Sequence, residues 1–170
     1  LIGSAAIAGE AHRGTLEIFL LRPISRRRLL LERWLLGAVQ IALPVFLTTL
    51  TVPLLLARVD EVMDFGPLML CAVHQSLFLV ALYAIVFLLS TMGRAPLPIA
   101  FGALVFVIFN FSIYMVKTVT HWSLFRLADM ETFLDIYESG ALPVTFTAIF
   151  VVVISGCIWA SLAIFERRVP

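Results

Sequence analysis

The chain has 170 residues, of which 62% are hydrophobic and 14% are charged. About a quarter of the residues in a water-soluble domain are charged, so this composition excludes an ordinary soluble domain and indicates a membrane protein. The formal net charge of +1 gives no indication of a nucleic-acid partner, and we predict none.

The chain begins with an apolar stretch, LIGSAAIA, that is too short to cross a bilayer. It also lacks the basic start and the longer apolar core of a signal peptide. Because the first residue is Leu1 rather than Met, we interpret residues 1–8 as the end of an earlier span in an N-terminally truncated chain.

Four long uncharged runs follow, at 34–57, 65–93, 95–116 and 139–165. Each exceeds the roughly 20 residues that a helix needs to cross the hydrocarbon core. Helices are expected because an open segment in lipid must satisfy its backbone polar groups internally. The sequence therefore predicts an all-α integral membrane protein with a single transmembrane domain over 1–170. Its four full spans are predicted at 34–57, 67–91, 98–116 and 143–164.

The segment 117–142, before the last span, differs in kind from the rest. Its apolar residues recur at near-helical spacing, and most of its acids fall between them. This pattern predicts an amphipathic helix that lies on the outer membrane surface or dips into it, with an ordered loop as the alternative. The apolar positions are Leu127, Met130, Phe133, Leu134 and Tyr137.

Charge sets the predicted orientation. Of the 12 Lys and Arg residues, nine lie in 9–33, at Arg94 or in the C-terminal tail, which fall on one side of the predicted spans. The other side carries three basic and seven acidic residues. The positive-inside rule therefore places 9–33 and the C-terminus in the cytoplasm.

The loop at 9–33 contains the signals of a short helix. Thr15 suits its N-cap, Glu17 suits its first turn, and Pro23 ends it. Ser25 is placed to cap the next helix, which continues into the span at Trp34. The three arginines 26–28 would then lie at the positive end of that helix, which is electrostatically unfavourable. We interpret them as contacts to lipid phosphates or to a protein partner.

Polar residues inside the spans mark a candidate substrate path, since ionisable groups in a membrane are often functional. These residues are His74, Gln75 and Asn110. Hydrogen bonding between helices is the alternative.

The sequence predicts no catalytic site and no metal site, because its three histidines are widely separated and none has an acid or cysteine at ligand spacing. The two cysteines, Cys71 and Cys157, are interpreted as small apolar packing residues.

The stretch GEAHRGTLEIFLLRPISRRRLLLERWL resembles the cytoplasmic signature of type-2 ABC transporter permeases, the membrane subunits of bacterial ABC exporters. Arg33 stands where this family usually has Lys. The C-terminal FERRVP resembles the family's Phe-x-Arg-Arg ending through Phe165, Arg167 and Arg168. The signature matches at Glu10, Gly14, Thr15, Leu16, Glu17, Leu20, Pro23, Ser25 and Arg26.

The resemblance implies that the short helix is a coupling helix, which docks on a separate ATP-binding subunit. Its coupling residues would be Glu10, Gly14, Thr15, Leu16, Glu17, Leu20, Pro23 and Arg26. The resemblance also implies a second permease copy, as a homodimer or with a related permease, in the bacterial cytoplasmic (inner) membrane. Such permeases usually have six spans, so the first and most of the second would be missing here. Export is the usual direction in this family.

The chain contains no G-x-x-x-x-G-K-[ST] phosphate loop. We therefore predict a transport subunit that is not itself an enzyme, with no cofactor in this chain and ATP bound by the partner subunit. The alternative function is a non-transport membrane scaffold or sensor whose basic loop binds a soluble regulator.

The charge asymmetry generates a test of topology. A cysteine introduced at Ser25 is expected to resist an impermeant thiol reagent in intact cells, whereas one at Asp64 is expected to react. Labelling of both positions is measured before and after permeabilisation. Ready labelling at Ser25 with protection at Asp64 would invert the orientation.

Overall fold

A computed structural model describes Gly3 and residues 25–58, 60, 63–93 and 95–167. The structure is 87% helical, and the described residues contain no strand. Four of their helices are long and apolar enough to cross a membrane. The predicted class, an all-α integral membrane protein, is confirmed.

The long helices are α1 (Arg26–Leu56), α2 (Phe65–Met92), α3 (Pro96–Met115) and α5 (Val144–Arg167). The short helix α4 (Met130–Ser139) precedes α5, and two 3-10 helices, Thr120–Trp122 and Leu124–Ala128, join α3 to α4. We call Thr120–Trp122, Leu124–Ala128 and α4 together the outer segment.

The predicted remnant of an earlier span falls outside the described residues except at Gly3. Gly3 is helical and buried. A Cβ atom added there would lie 3.1 Å from Val86 Cγ1, so this position packs closely against α2.

The helix ends follow local sequence signals. The hydroxyl of Ser25 accepts a hydrogen bond from the Arg28 backbone N–H, with N and Oγ 3.3 Å apart, which confirms the predicted cap of α1. Pro96 is the first residue of α3, where a missing N–H has no consequence. Gly140 ends α4 with φ +63°, a conformation that glycine adopts without steric cost.

The centre of the bundle is α2, which packs mainly against α1 and α5. In its most apolar stretch 44% of the residues are buried, against 6% in α3. Many of the buried α2 positions carry small residues, including Ala72, Ser76, Ala84 and Ser90. Small side chains let neighbouring backbones approach, which is the usual basis of helix packing in a membrane.

Two clusters of buried residues hold α2 in place. Near its C-terminal end, Tyr83 and Phe87 pack with Leu30 of α1 and Phe165 of α5. Nearer its N-terminal end, Phe78 packs with Phe150 of α5 and with partly buried residues of the outer segment. The first cluster therefore joins α1 and α5 to α2, and the second joins α5 and the outer segment to α2.

Helix α1 comes very close to α2 at Gly37. A Cβ atom added there would lie 2.5 Å from Cζ of Tyr83 and would also overlap its hydroxyl oxygen. Tyr83 is only 5% exposed, so its ring has little room to move. Only glycine fits at this crossing without a shift of the helices.

We expect Gly37→Ala to destabilise the protein by about 1–3 kcal/mol, because overpacking forces side chains and backbone apart. The measurement is the melting temperature of the purified protein in detergent. Replacing Tyr83 by Phe in the Gly37→Ala background should restore part of the loss, since the clashing hydroxyl is then absent.

Gly102→Ala is the matched control, because Gly102 lies within α3 and has nothing within 4 Å of the added Cβ. It should leave the melting temperature unchanged or raise it. Equal melting temperatures for the two alanine variants would contradict the close α1–α2 approach.

Candidate functional site

The predicted coupling residues lie N-terminal to α1. Arg26 is the first residue of α1. The others fall outside the described residues, so the coupling helix stays a prediction; they are Glu10, Gly14, Thr15, Leu16, Glu17, Leu20 and Pro23.

Two arginines at the start of α1 have partners within the chain. The guanidinium of Arg27 makes a paired contact with the carboxylate of Glu166 in the last turn of α5. Arg28 pairs with Glu32 one turn further along α1, with Nε and Oε1 2.7 Å apart. Contact of the 26–28 arginines with lipid phosphates or a protein partner stays a prediction. The structure shows that Arg27 and Arg28 also make ion pairs within the chain, Arg27 because α5 returns to the start of α1 and Arg28 because residues four apart face each other on a helix.

The Arg27–Glu166 pair connects the first long helix to the last. Both side chains are exposed to a substantial extent, at 71% and 37%. Solvent screens such a pair, so it adds little stability. The pair does show that the N-terminus of α1 lies beside the C-terminus of α5.

At the opposite end of the bundle, His74 of α2 holds the outer segment. Its Nε2 lies 2.7 Å from the carbonyl oxygen of Leu127. A carbonyl only accepts, so Nε2 carries the proton and donates. The ring is fully buried between Phe133 and Phe150. Its other nitrogen, Nδ1, has no hydrogen-bond partner among the described residues.

Asn110 of α3 makes the second attachment. Its side-chain oxygen accepts from the backbone N–H of Leu124 at 3.4 Å, and its backbone carbonyl accepts from the Ser123 hydroxyl at 2.9 Å. Its amide nitrogen donates to Phe106 O within α3. Its side-chain oxygen, its side-chain nitrogen and its backbone carbonyl therefore all have partners, and Asn110 is only 6% exposed.

Two tyrosines complete the attachment. The hydroxyl of Tyr114 in α3 donates to the carboxylate of Asp129, which also caps α4 by accepting from the Met130 backbone N–H at 2.7 Å. The hydroxyl of Tyr137 in α4 accepts from the backbone N–H of Asp64, just before α2, at 2.9 Å. The outer segment is thus bonded to both α2 and α3.

The predicted amphipathic character of the outer segment is present in α4. Thr132 and Ile136 are buried against the bundle, whereas the acids Glu131, Asp135 and Glu138 are exposed. Only part of the predicted apolar stripe is buried. Phe133 and Tyr137 are partly buried, but Met130 and Leu134 are 69% and 50% exposed, between the packed face and the acids. The exposure of these two apolar side chains is compatible with the predicted helix at the membrane surface, which stays a prediction.

The three predicted path residues do not form one site. His74 and Asn110 are occupied by the outer segment, on different helices. Gln75 is partly buried and lines a separate groove between α1 and α2. The alternative was hydrogen bonding between spans. His74 and Asn110 do form hydrogen bonds, but their partners outside their own helices lie in the outer segment rather than in another span.

The groove has a volume of about 370 Å³ and lies below the outer segment. From α1 it is lined by Val45, Thr48, Thr49 and Val52. From α2 and α4 it is lined by Leu68, Cys71, Ala72, Gln75 and Phe133. The threonines are not among the predicted site residues. Two adjacent hydroxyl residues between Pro44 and Pro53 of an otherwise apolar span were the available signal.

The described residues contain no cluster of His, Cys, Asp or Glu that suits a metal ion. Cys71 and Cys157 are free thiols, each partly buried. Cys71 donates weakly to the carbonyl oxygen of Phe133, with sulfur and oxygen 3.6 Å apart.

Residues 1–138 match the model of a protein family described as ABC-2 family transporter protein. No curated protein and no solved structure matches the chain.

The attachment of the outer segment generates a test by hydrogen exchange. In lipid nanodiscs, we expect protected amides across 123–138. His74→Leu leaves the Leu127 carbonyl without its donor, at a cost of about 1–3 kcal/mol, and should accelerate exchange in 124–132.

Ser112→Ala is the control for this experiment, because the Ser112 hydroxyl bonds only to Ile108 within α3. It should leave exchange in the outer segment unchanged. Fast exchange throughout 123–138 in the unmodified protein would show that the segment is a mobile loop.

Proposed function

This chain belongs to the ABC-2 transporter family and is a multi-pass membrane permease, and we propose that it couples its substrate path to a separate ATP-binding subunit for export. The family match carries this proposal, because it covers 1–138 and includes the stretch that resembles the coupling signature. Members of the family generally work with an ATP-binding subunit. The scaffold or sensor alternative has no comparable support.

The end of the bundle where Arg27 and Arg28 lie in the first turn of α1, which we call the basic end, supports the coupling role. In the proposal, the helix formed around Thr15–Leu20 receives force from the ATP-binding subunit. The chain would then turn at Pro23 before α1 begins at Arg26. Since the Arg27–Glu166 pair ties α1 to α5, a displacement at the coupling helix would move both helices together.

The opposite end of the bundle, which carries the exposed acids of α4 and which we call the acidic end, supports a different role. Because α2 and α3 are bonded to the outer segment, these elements would move as one body. Displacement of α1 relative to α2 would then change the width of the groove that Gln75 lines. We place Gln75 on the substrate path itself, while His74 and Asn110 act as positioning residues that hold the outer segment above it.

The proposed assembly also contains a second permease copy, in the bacterial inner membrane. Within the described chain α3 packs little and exposes apolar side chains such as Leu97, Phe101 and Phe109. A second copy would give part of this surface a protein neighbour instead of lipid. ATP would be bound by the partner subunit, as the missing phosphate-loop motif implies.

The coupling proposal is tested by Glu17→Lys in the full-length permease. A charge-assisted hydrogen bond is worth about 1.5–3 kcal/mol, so reversing the charge should weaken attachment of the ATP-binding subunit about tenfold or more. Attachment is measured by co-purification, and coupling by substrate-stimulated ATPase activity. Insertion and permease pairing should remain intact.

Glu138→Lys is the matched control, because it makes the same charge reversal on an exposed residue at the acidic end of the bundle. It should leave attachment and stimulation unchanged. Full attachment and full stimulation in Glu17→Lys would remove the coupling assignment and leave the basic loop as a topology signal.

A further inference from the structure

We propose that the groove between α1 and α2 binds an uncharged amphiphile whose polar group donates hydrogen bonds, such as a hydroxyl-bearing or amide-bearing lipid. The role of this site in transport rests on the proposed function, but the binding itself does not. The groove and its polar side chains provide the argument, since a purely apolar cleft would select no such chemistry.

The groove lies within the membrane, toward the acidic end. At about 1.5 Å per residue, Thr48 lies about 12 Å along α1 from Leu56, and Gln75 lies about 15 Å along α2 from Phe65. Half of the hydrocarbon core is about 15 Å thick. The lining is therefore at the depth of one leaflet, which positive-inside orientation makes the outer one, and an amphiphile dissolved in that leaflet reaches it directly.

The two threonines offer acceptors rather than donors. The Thr48 hydroxyl donates to backbone carbonyls of its own helix, at 2.8 Å from Pro44 O and 2.9 Å from Val45 O. The Thr49 hydroxyl donates to Val45 O at 2.8 Å. Each hydroxyl has one hydrogen, which is used in these bonds, so what remains for a ligand is the oxygen lone pairs.

Pro53 adds another acceptor at the same place. In a helix the backbone N–H of residue 53 would bond to the carbonyl of Thr49, but proline has no N–H. The Thr49 carbonyl therefore lacks its usual helical donor. A donor group on a ligand would replace the missing N–H at this carbonyl.

The third polar group is the amide of Gln75, which has no hydrogen-bond partner among the described residues. Its position contrasts with His74, the preceding residue, whose ring is satisfied at Nε2 by Leu127. A glutamine amide offers one acceptor and two donor hydrogens. Together with the threonines it makes the groove richer in acceptors than in donors.

Among the described residues, no Asp, Glu, Lys or Arg lines the groove. A charged headgroup there would lie in hydrocarbon without a counter-charge, which is strongly unfavourable. The ligand part that enters must therefore be neutral. A volume of about 370 Å³ suits a polar group with the adjoining part of its chains, while the remainder stays in the bilayer.

Cys71 lines the groove and provides a native reporter. In a Cys157→Ser variant it is the one remaining thiol of the chain's two. The experiment measures its alkylation by N-ethylmaleimide in phosphatidylcholine nanodiscs with increasing 1,2-dioctanoylglycerol, a neutral lipid with one free hydroxyl. We expect alkylation to slow and to reach a plateau.

Two related lipids isolate the recognised chemistry. The methyl ether of dioctanoylglycerol keeps the chains but has no donor, and dioctanoyl phosphatidic acid keeps the chains but is charged. Both should protect Cys71 only at concentrations about fivefold higher or more, the ether because it loses about one hydrogen bond and phosphatidic acid because its charge would be buried without a counter-charge. Equal protection by all three lipids would overturn the proposal, as would stronger protection by phosphatidic acid.

Substitutions then locate the binding. Gln75→Leu and the nearly isosteric Thr48→Val should each raise the half-protecting concentration of dioctanoylglycerol, by about three- to tenfold. Gln40→Leu is the matched control, because it makes the same change on α1 outside the groove lining. Unchanged protection in both groove variants would overturn the proposal. In a Cys71→Ser protein, alkylation of Cys157 should not respond to the lipid.

A further experiment distinguishes an amphiphile that is transported as cargo from a lipid that stays bound in the groove. With the ATP-binding subunit and a slowly hydrolysed ATP analogue, protection of Cys71 should fall if the ligand is cargo and persist if it is a fixed lipid. Both results keep the binding site. The labelling without the subunit does not depend on coupling, so a failure of Glu17→Lys to weaken attachment leaves it unaffected.

Discussion

The structure depends on one constraint: a polar group inside the hydrocarbon needs a partner from the protein, because lipid supplies none. The spans meet this requirement in different ways. Thr48, Thr49 and Ser112 return their hydroxyl hydrogens to their own helices. His74 and Asn110 instead bond to the outer segment and so position it. Gln75 has no hydrogen-bond partner in the described chain, and in the proposal a ligand in the groove would supply one.

The two ends of the bundle are joined by different chemistry. At the basic end an exposed ion pair links α1 to α5, and solvent screening keeps it weak. At the acidic end, hydrogen bonds link α2 and α3 to the outer segment, and those of His74 and Asn110 are buried. The buried bonds at the acidic end would keep α2, α3 and the outer segment together while α1 bends in the part that lines the groove. Such a division suits a permease that transmits motion from one side of the membrane to the other.

Close packing limits where that motion takes place. The Gly37–Tyr83 approach fixes α1 against α2 near the basic end. Toward the acidic end the same two helices separate enough to leave the groove, and Pro44 and Pro53 interrupt the hydrogen bonding of α1 there. Proline weakens a helix locally, so bending is expected in the part of α1 that lines the groove. The crossing at Gly37 would then act as the pivot.

The sequence by itself determined the fold class, the four spans and the cap at Ser25, because hydrophobic length and N-cap chemistry act locally along the chain. It also identified His74, Gln75 and Asn110 as unusual, since a polar residue in an apolar run is visible without a structure. Only the tertiary structure decided their partners. The pairs Arg27–Glu166, Tyr114–Asp129 and His74–Leu127 join residues whose proximity depends on how the helices pack. The groove likewise exists between helices, so no pattern within a single span could define its lining.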